Sequence, residues 1–430
     1  MKFFGGSQGK LAAIYLQNEK GFSKKAFNSI YLDSIYEDAS AVIGDFNGDK
    51  QNDLVVASGS GQYAADLIHR LYLGNTLIKS AFPDTKAMNA SVIKTIDYDK
   101  DGDLDLFIGN NSKYNSFGRM PDCYLLNNNK GVFSIVQSKA FEAIGMVTDA
   151  VVTDFNKDGN LDLIVVGEWM KPKFFANIKG SFKEVTESLL PGNQNGLWQS
   201  ICAFDIDHDG DQDYLVGNWG MNSKFKASQD FPMKMYYDDF DTNDTFETIV
   251  AVEKNGKYYT TMGLDELAEE FSGMVKKKFN SYKSFAGKTL EEVFDPKMLD
   301  KAKLYEVHNL KSGYLRNDKG KFTFVPFSNK MQVSPITSFV KADFDGDRQE
   351  EVFAAGNYFG VTPYHSRFDG FSGALIKNQK TIYLGNQIGI DLTQKAVRHL
   401  DIIPFNGKKY LLVTINNKKA EVYELPMAKN

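Results

Sequence analysis

The sequence predicts an all-β fold of small antiparallel sheets, and three observations predict it. An apolar strand, a nine-residue acidic loop and a second apolar strand recur along the chain. Between the copies falls a second motif: Tyr-Leu, a polar turn, then Gly and Phe. The chain also carries 33 Phe and 21 Tyr, which suits pleated faces where rings pack well. Together the two motifs supply about four short strands per unit, and that is one blade of a β-propeller. A parallel α/β sheet would need a helix between strands, and most units have none.

Copies of the first motif start at Asp45 (DFNGDKQNDLVVASG), Asp97 (DYDKDGDLDLFIGN), Asp154 (DFNKDGNLDLIVVGEW), Asp205 (DIDHDGDQDYLVGNWG) and Asp343 (DFDGDRQEEVFAAGN). A weak copy, DFDTNDTFETIV, starts at Asp239, and a copy without acids starts at His399. The second motif reads IYLQNEKGF to Phe22, CYLLNNNKGVF to Phe133 and GYLRNDKGKF to Phe322, each a hairpin with a Gly-bearing turn. Seven first strands imply seven blades, with eight as the alternative. The Asp205 unit is short, only 34 residues from the next. KFFGG at Lys2 resembles a strand that follows an acidic loop, so the expectation is a closing blade shared by strands from both ends. A piece of a longer repeat protein is the alternative.

Residues 263–303 break the pattern. Leu264, Leu267, Phe271 and Met274 follow helical spacing, and Pro296 marks a break. The expected division is therefore propeller blades over 1–262 and 304–430, with a small two- or three-helix insertion between them. It either covers apolar surface or serves as a cap for a partner.

The acidic loops carry the chemistry. Carboxylates at alternate positions repel one another unless a hard cation sits among them. Calcium takes six to eight oxygens from carboxylates, amides and carbonyls in irregular geometry. Positions 1, 3 and 5 offer side-chain oxygens, position 7 a carbonyl and position 9 another carboxylate. Glycine at position 6 permits the sharp turn. The candidate ligand residues are Asp97, Asp99, Asp101, Asp103 and Asp105; Asp154, Asn156, Asp158, Asn160 and Asp162; and Asp205, Asp207, Asp209, Asp211 and Asp213. Asp45, Asn47, Asp49, Gln51 and Asp53 form a set with Lys50 in the glycine place; Asp343, Asp345, Asp347, Gln349 and Glu351 form one with Arg348 there. A weaker set is Asp239, Asp241, Asn243 and Glu247. The expected cofactor is calcium, about five ions per chain. Flanking strands and the missing Glu at position 12 exclude an EF-hand, and an all-oxygen ligand set with no His or Cys in a ligand place disfavours zinc, His208 being expected to point outward.

The DFNGD, DYDKDGDLDL and DFDGD stretches resemble the FG-GAP/VCBS repeats of integrin α-subunit propellers and bacterial surface proteins. VTDAVVTDFNKDGNLDLIVVGEWM, YLVGNWGMNSKFKAS and GNYFGVTPYHSRFDGFSG are similar to Bacteroidetes-type VCBS-repeat proteins that are often associated with an ASPIC/UnbV domain. The resemblance implies an extracellular or cell-surface protein, in that group often an outer-membrane lipoprotein. The segment MKFFGGSQGK lacks the apolar core of a signal peptide.

A net charge of −5 argues against nucleic acid as the partner. No run of about twenty apolar residues predicts a membrane span. Cys123 and Cys202 fall in strands of different units and read as buried thiols. No HExxH, GxSxG elbow, phosphate loop or dinucleotide fingerprint occurs, so no catalytic residue is assigned. The long loop from Asn357 to Gly373 mixes Tyr358, Tyr364, His365, Arg367 and Asp369, side chains that can stack on and hydrogen-bond a sugar or peptide. Its aromatics could equally plug a channel, and Trp169, Trp198 and Trp219 suit inter-blade packing. The expected function is a calcium-binding scaffold for a glycan or a surface protein. The alternative is a calcium-dependent polysaccharide lyase using His365 and Arg367, which rests on fold analogy.

Overall fold

The computed structural model describes residues 1–6, 9–25, 33–60, 63–85, 88–271, 273–362 and 367–425. Among these residues the strands form eight antiparallel sheets. Seven succeed one another: sheet 1 (residues 2–25), sheet 2 (38–78), sheet 3 (88–135), sheet 4 (146–197), sheet 5 (200–217 and 313–326), sheet 6 (336–384) and sheet 7 (397–425). The fold is all-β and propeller-like.

In sheets 2, 5 and 6 the second strand is buried from end to end, as Asp53–Ser58, Tyr214–Gly217 and Glu351–Gly356. Both of its faces are covered, so its sequence is a continuous apolar run rather than an alternation. In Asp162–Met170, Leu163 and Val165 share a core with Phe107 of sheet 3. Ile164 and Val166 share the next core with Tyr214 of sheet 5, where Trp198 is fully buried. The hydrophobic core thus lies between successive sheets.

Hydroxyls on the first strands link neighbours. Ser91 Oγ donates to the Val147 carbonyl at 2.6 Å, and Thr148 Oγ1 to the Trp198 carbonyl at 2.8 Å. Ser200 Oγ and Thr337 Oγ1 do the same to Ile336 at 2.8 Å and Val397 at 2.7 Å. Ser91, Thr148 and Thr337 lie where the strand register shifts, at bulges that turn an extra residue toward the next sheet.

Three expectations change. Among the described residues, sheets 1 and 7 are each three-stranded and are not joined by strand pairing. Lys2–Phe4 pairs with Ala13–Asn18, whose Ile14 packs against Leu54, Val56 and Tyr72 of sheet 2. Contact between the two end sheets runs instead through the Lys2–Asp401 ion pair and a Gln17 amide bond to the Pro404 carbonyl. The Asp239 unit is not in the series. Its strands, Met233–Asp238, Glu247–Lys254, Lys257–Thr260 and Lys303–Val307, form an extra sheet inserted between the second and third strands of sheet 5. That insertion explains the short Asp205 spacing. Among the described residues, the helical segment holds five short helices, Leu264–Glu270, Met274–Lys278, Tyr282–Phe285, Leu290–Val293 and Pro296–Lys301. They bury Leu267, Phe271, Leu290 and Phe294 against Phe240 and Ile249 of the inserted sheet. Pro296 opens the last helix rather than breaking one: it needs no N–H at the first helical position, and Asp295 caps the helix by accepting from Lys297 N–H.

Buried asparagines tie the sheets together at the loop end. Asn128 and Asn177 each accept an N–H from the hairpin glycine, Gly131 or Gly180, at 2.8 Å. Their amides donate across the sheet boundary, Asn128 to the Phe46 carbonyl at 3.0 Å and Asn177 to the Tyr98 carbonyl at 2.7 Å. Asn177→Leu strands several of these groups without partners and should cost about 3 kcal/mol, checked by urea unfolding.

Candidate metal centres

Each acidic loop follows one path. The residues at the fourth and sixth places are left-handed in all six: Gly48 and Lys50, Lys100 and Gly102, Lys157 and Gly159, His208 and Gly210, Thr242 and Asp244, Gly346 and Arg348. The loops lacking glycine at the sixth place therefore keep the same turn, at a backbone cost of about 1 kcal/mol each. The second residue of each loop (Phe46, Tyr98, Phe155, Ile206, Phe240 or Phe344) is a buried anchor. Its N–H bonds the ninth-place carboxylate, at 3.0 Å for Asp53, 3.1 Å for Asp213, 3.0 Å for Glu247 and 2.8 Å for Glu351. The first aspartate accepts N–H groups from inside the loop, as Asp154 does from Asp158 at 3.0 Å and Gly159 at 2.8 Å. Main chain thus fixes where the carboxylates stand.

Among the described residues, carboxylate oxygens lie within 4.8 Å of one another in four groups: Asp97, Asp99 and Asp101; Asp205, Asp207 and Asp213; Asp239, Asp241 and Glu247; and Asp343, Asp345 and Asp347. The loops at Asp45 and Asp154 have asparagine in third place, where Asn47 and Asn156 donate to Asp49 at 3.2 Å and Asp158 at 3.1 Å. A pair of unit charges 4 Å apart near a protein surface repels by about 4 kcal/mol.

Several loop carboxylate oxygens are buried without a hydrogen-bond partner: Asp53 Oδ1, Asp97 Oδ1, Asp103 Oδ1, Asp162 Oδ2, Asp207 Oδ1 and both oxygens of Asp241. An all-oxygen set with unsatisfied, converging lone pairs is what a hard divalent cation fits. The inserted Asp239 loop, the weak copy in the sequence, has the same feature. Two seventh-place residues behave differently from each other. Asp103 turns an unpartnered oxygen inward, whereas Asp211 pairs outward with Lys157 of the neighbouring loop at 2.6 Å. The Asp343 loop differs again. Lys377 stands among its carboxylates, ion-paired with Asp345, 3.6 Å from Asp347 and 3.5 Å from Glu351.

Burial raises the ninth-place carboxyls, to about 7 for Asp105 and about 6 for Asp162 and Asp213. Burial, then the Asp101 charge, puts Asp103 at about 6. Asp45 is opposed by burial, yet the N–H groups of Lys50, Gly48 and Asp49 hold its carboxyl below the ordinary range.

Sequence reasoning overlooked Asn128, Asn177 and Lys377. The recurring Asn-x-Lys-Gly of the hairpins marks the asparagines; Lys377 has no local signal. In the loop after sheet 6's second strand, Tyr364 and His365 lie outside the described residues. Tyr358 and Phe368 form a bridge and pack edge-on against Trp219 at 5.5 and 4.9 Å. Arg367 lies over the Phe359 ring at 5.1 Å. The Asp369 carbonyl accepts from Gln394 N–H at 2.9 Å. Cys123 and Cys202 are free thiols, the first buried and the second half-buried.

The family model for the FG-GAP-like repeat matches residues 97–165 and 154–216, which contain the loops at Asp97, Asp154 and Asp205. These residues are FG-GAP-like repeats. The loops at Asp45, Asp239 and Asp343 repeat their backbone path outside the matched stretch. Similar solved structures include BBS1N in complex with ARL6DN, at 10% identity and TM-score 0.34, covering 91% of this chain and 92% of that one. Another is the V. cholerae biofilm matrix protein Bap1, at 11% identity and TM-score 0.32, covering 91% and 88%. Likeness at that level carries no argument about function. No curated protein matches the chain.

Two outcomes are expected. Carboxyls raised on folding stabilise the metal-free protein while protonated, below about pH 4, and that stability is lost as pH rises through 6 to 7. Melting temperature in EDTA should therefore fall between pH 5 and pH 7.5, by scanning fluorimetry, and stay level in millimolar calcium. Lys50→Gly relieves a left-handed lysine and should stabilise by about 1 kcal/mol in denaturant titrations.

Proposed function

We propose that this chain is a seven-bladed, calcium-bound propeller that works outside the cell or on its surface as a binding scaffold. Sheets 1 to 7 are the blades, and the Lys2–Asp401 contact closes the ring. The inserted sheet and the helices of residues 263–303 stand on it as an added unit. One observation carries the calcium reading: buried, unpartnered carboxylate oxygens recur in the loops at Asp45, Asp97, Asp154, Asp205 and Asp239. A calcium ion in each neutralises the clustered charge and ties the loop, so its role is structural.

The partner is a glycan or a surface protein. Its contact is the loop bearing Tyr358, Tyr364, His365, Arg367 and Asp369, of which Tyr358, like the neighbouring Phe368, packs against Trp219. An oxidising setting is compatible with free thiols that are shielded by burial.

The test is thermal unfolding in EDTA and in millimolar calcium, with a metal count on the purified protein. The expected result is about five calcium ions per chain and a rise in melting temperature that follows their binding. No bound calcium and no shift would overturn the reading. For the partner, binding to a panel of polysaccharides should require calcium and weaken at least tenfold in Arg367→Ala, with melting unchanged.

A further inference from the structure

We infer that the Asp343 loop holds no calcium, because the Lys377 ammonium occupies the place that a cation takes in the other loops. The inference rests on the calcium reading of those loops.

The Asp343 loop has the same backbone as its siblings, left-handed at Gly346 and Arg348. Its first aspartate accepts from Gly346 at 2.7 Å and Arg348 at 3.0 Å, and its ninth-place Glu351 accepts from Phe344 at 2.8 Å. Only the filling differs. Lys377 Nζ contacts Asp345, Asp347 and Glu351, which are the third, fifth and ninth places, with the two measured separations 3.6 and 3.5 Å. The contact with Asp345 is the closest of the three.

Two further observations agree. Among the described residues, the other loops each keep a buried carboxylate oxygen with no partner, and the Asp343 loop keeps none. The clustered acids of the loops at Asp97, Asp205 and Asp239 make no ion pair among the described residues.

Register explains why this loop differs from those of sheets 2 to 5. Val352 pairs with Ile376 across the second and third strands of sheet 6, so Lys377 stands beside Glu351 at the mouth of the loop. The corresponding places in sheets 2, 3, 4 and 5 hold Leu73, Asn127, Ala176 and Arg316. Leucine, asparagine and alanine bring no charge. Arg316 acts on Asp207 only at longer range, and Asp207 Oδ1 keeps its unpartnered state. A lysine offers a compact charge with three donors on a flexible stem, which matches three converging carboxylates.

The consequence is a propeller with one permanently closed loop. Sheet 6, which carries the Asn357–Gly373 loop, stays ordered when calcium is scarce, while the calcium loops loosen.

The test counts calcium ions by native mass spectrometry on the whole chain. Wild type and Asp347→Asn should bind equal numbers, and Lys377→Met should bind one ion more than either. Loss of an ion in Asp347→Asn, or no gain in a folded Lys377→Met, overturns the inference. Asp347→Asn keeps the question decidable should Lys377→Met fail to fold. Zero ions on wild type would overturn the calcium reading itself, an outcome separate from either of these.

Discussion

Carboxylates gathered at the end of a sheet, with oxygens buried and unpaired, repel one another unless a proton or a cation neutralises them. The rest of the architecture hangs on that constraint. The ninth-place carboxylate ends the loop and opens the second strand or, at Asp213, directly precedes it, and its bond to the second-place N–H joins turn to core. Phe46, Phe155 and Phe344 anchor the turn in the packing between sheets. Charge and hydrophobic burial are therefore coupled: loosening the loop would also loosen the strand that both neighbouring cores use.

Cohesion between sheets has two sources. Apolar faces interleave on both sides of the second strands of sheets 2 to 6, which is non-directional and tolerant of angle. Buried amides and hydroxyls add direction. Asn128 and Asn177 bond the loop of the preceding sheet; Ser91, Ser200 and Thr337 bond the first strand of the following one, and Thr148 bonds Trp198 just before it. The first group works at the loop end and the second along the first strands, so neighbouring sheets are held at more than one level.

The inserted sheet leaves sheet 5 after Gly217 and returns at Gly313, at the opposite end of the second strand from the acidic loop. Sheet 5 keeps its pairing, with Tyr214 against Leu315, despite nearly a hundred intervening residues. Lengthening a connection costs little entropy once it is long, so the sheet tolerates it. The insertion brings its own core under five helices and its own acidic loop. Meanwhile Met233, Met235 and Val307 pack on Met146 and Trp169 of sheet 4, which seats the insertion against the series.

Much of this protein was readable along the chain. Spacing of Asp97, Asp99, Asp101 and Asp105 specified a turn that gathers oxygens, and the apolar runs after each loop specified strands buried on both faces. Both signals are local: a nine-residue turn and a six-residue strand contain the information that shapes them. What tertiary structure decided were matters of partnership. Whether the Asp239 copy joined the series or stood apart depended on which strand Tyr214 paired with, and that partner, Leu315, lies far along the chain. Lys377 reads as an ordinary strand-end lysine until pairing sets it beside Glu351, 26 positions earlier. Local sequence determines how a turn or strand is built. Only the fold decides which distant charge a turn meets, because that meeting is made by register between strands and not by neighbours in the chain.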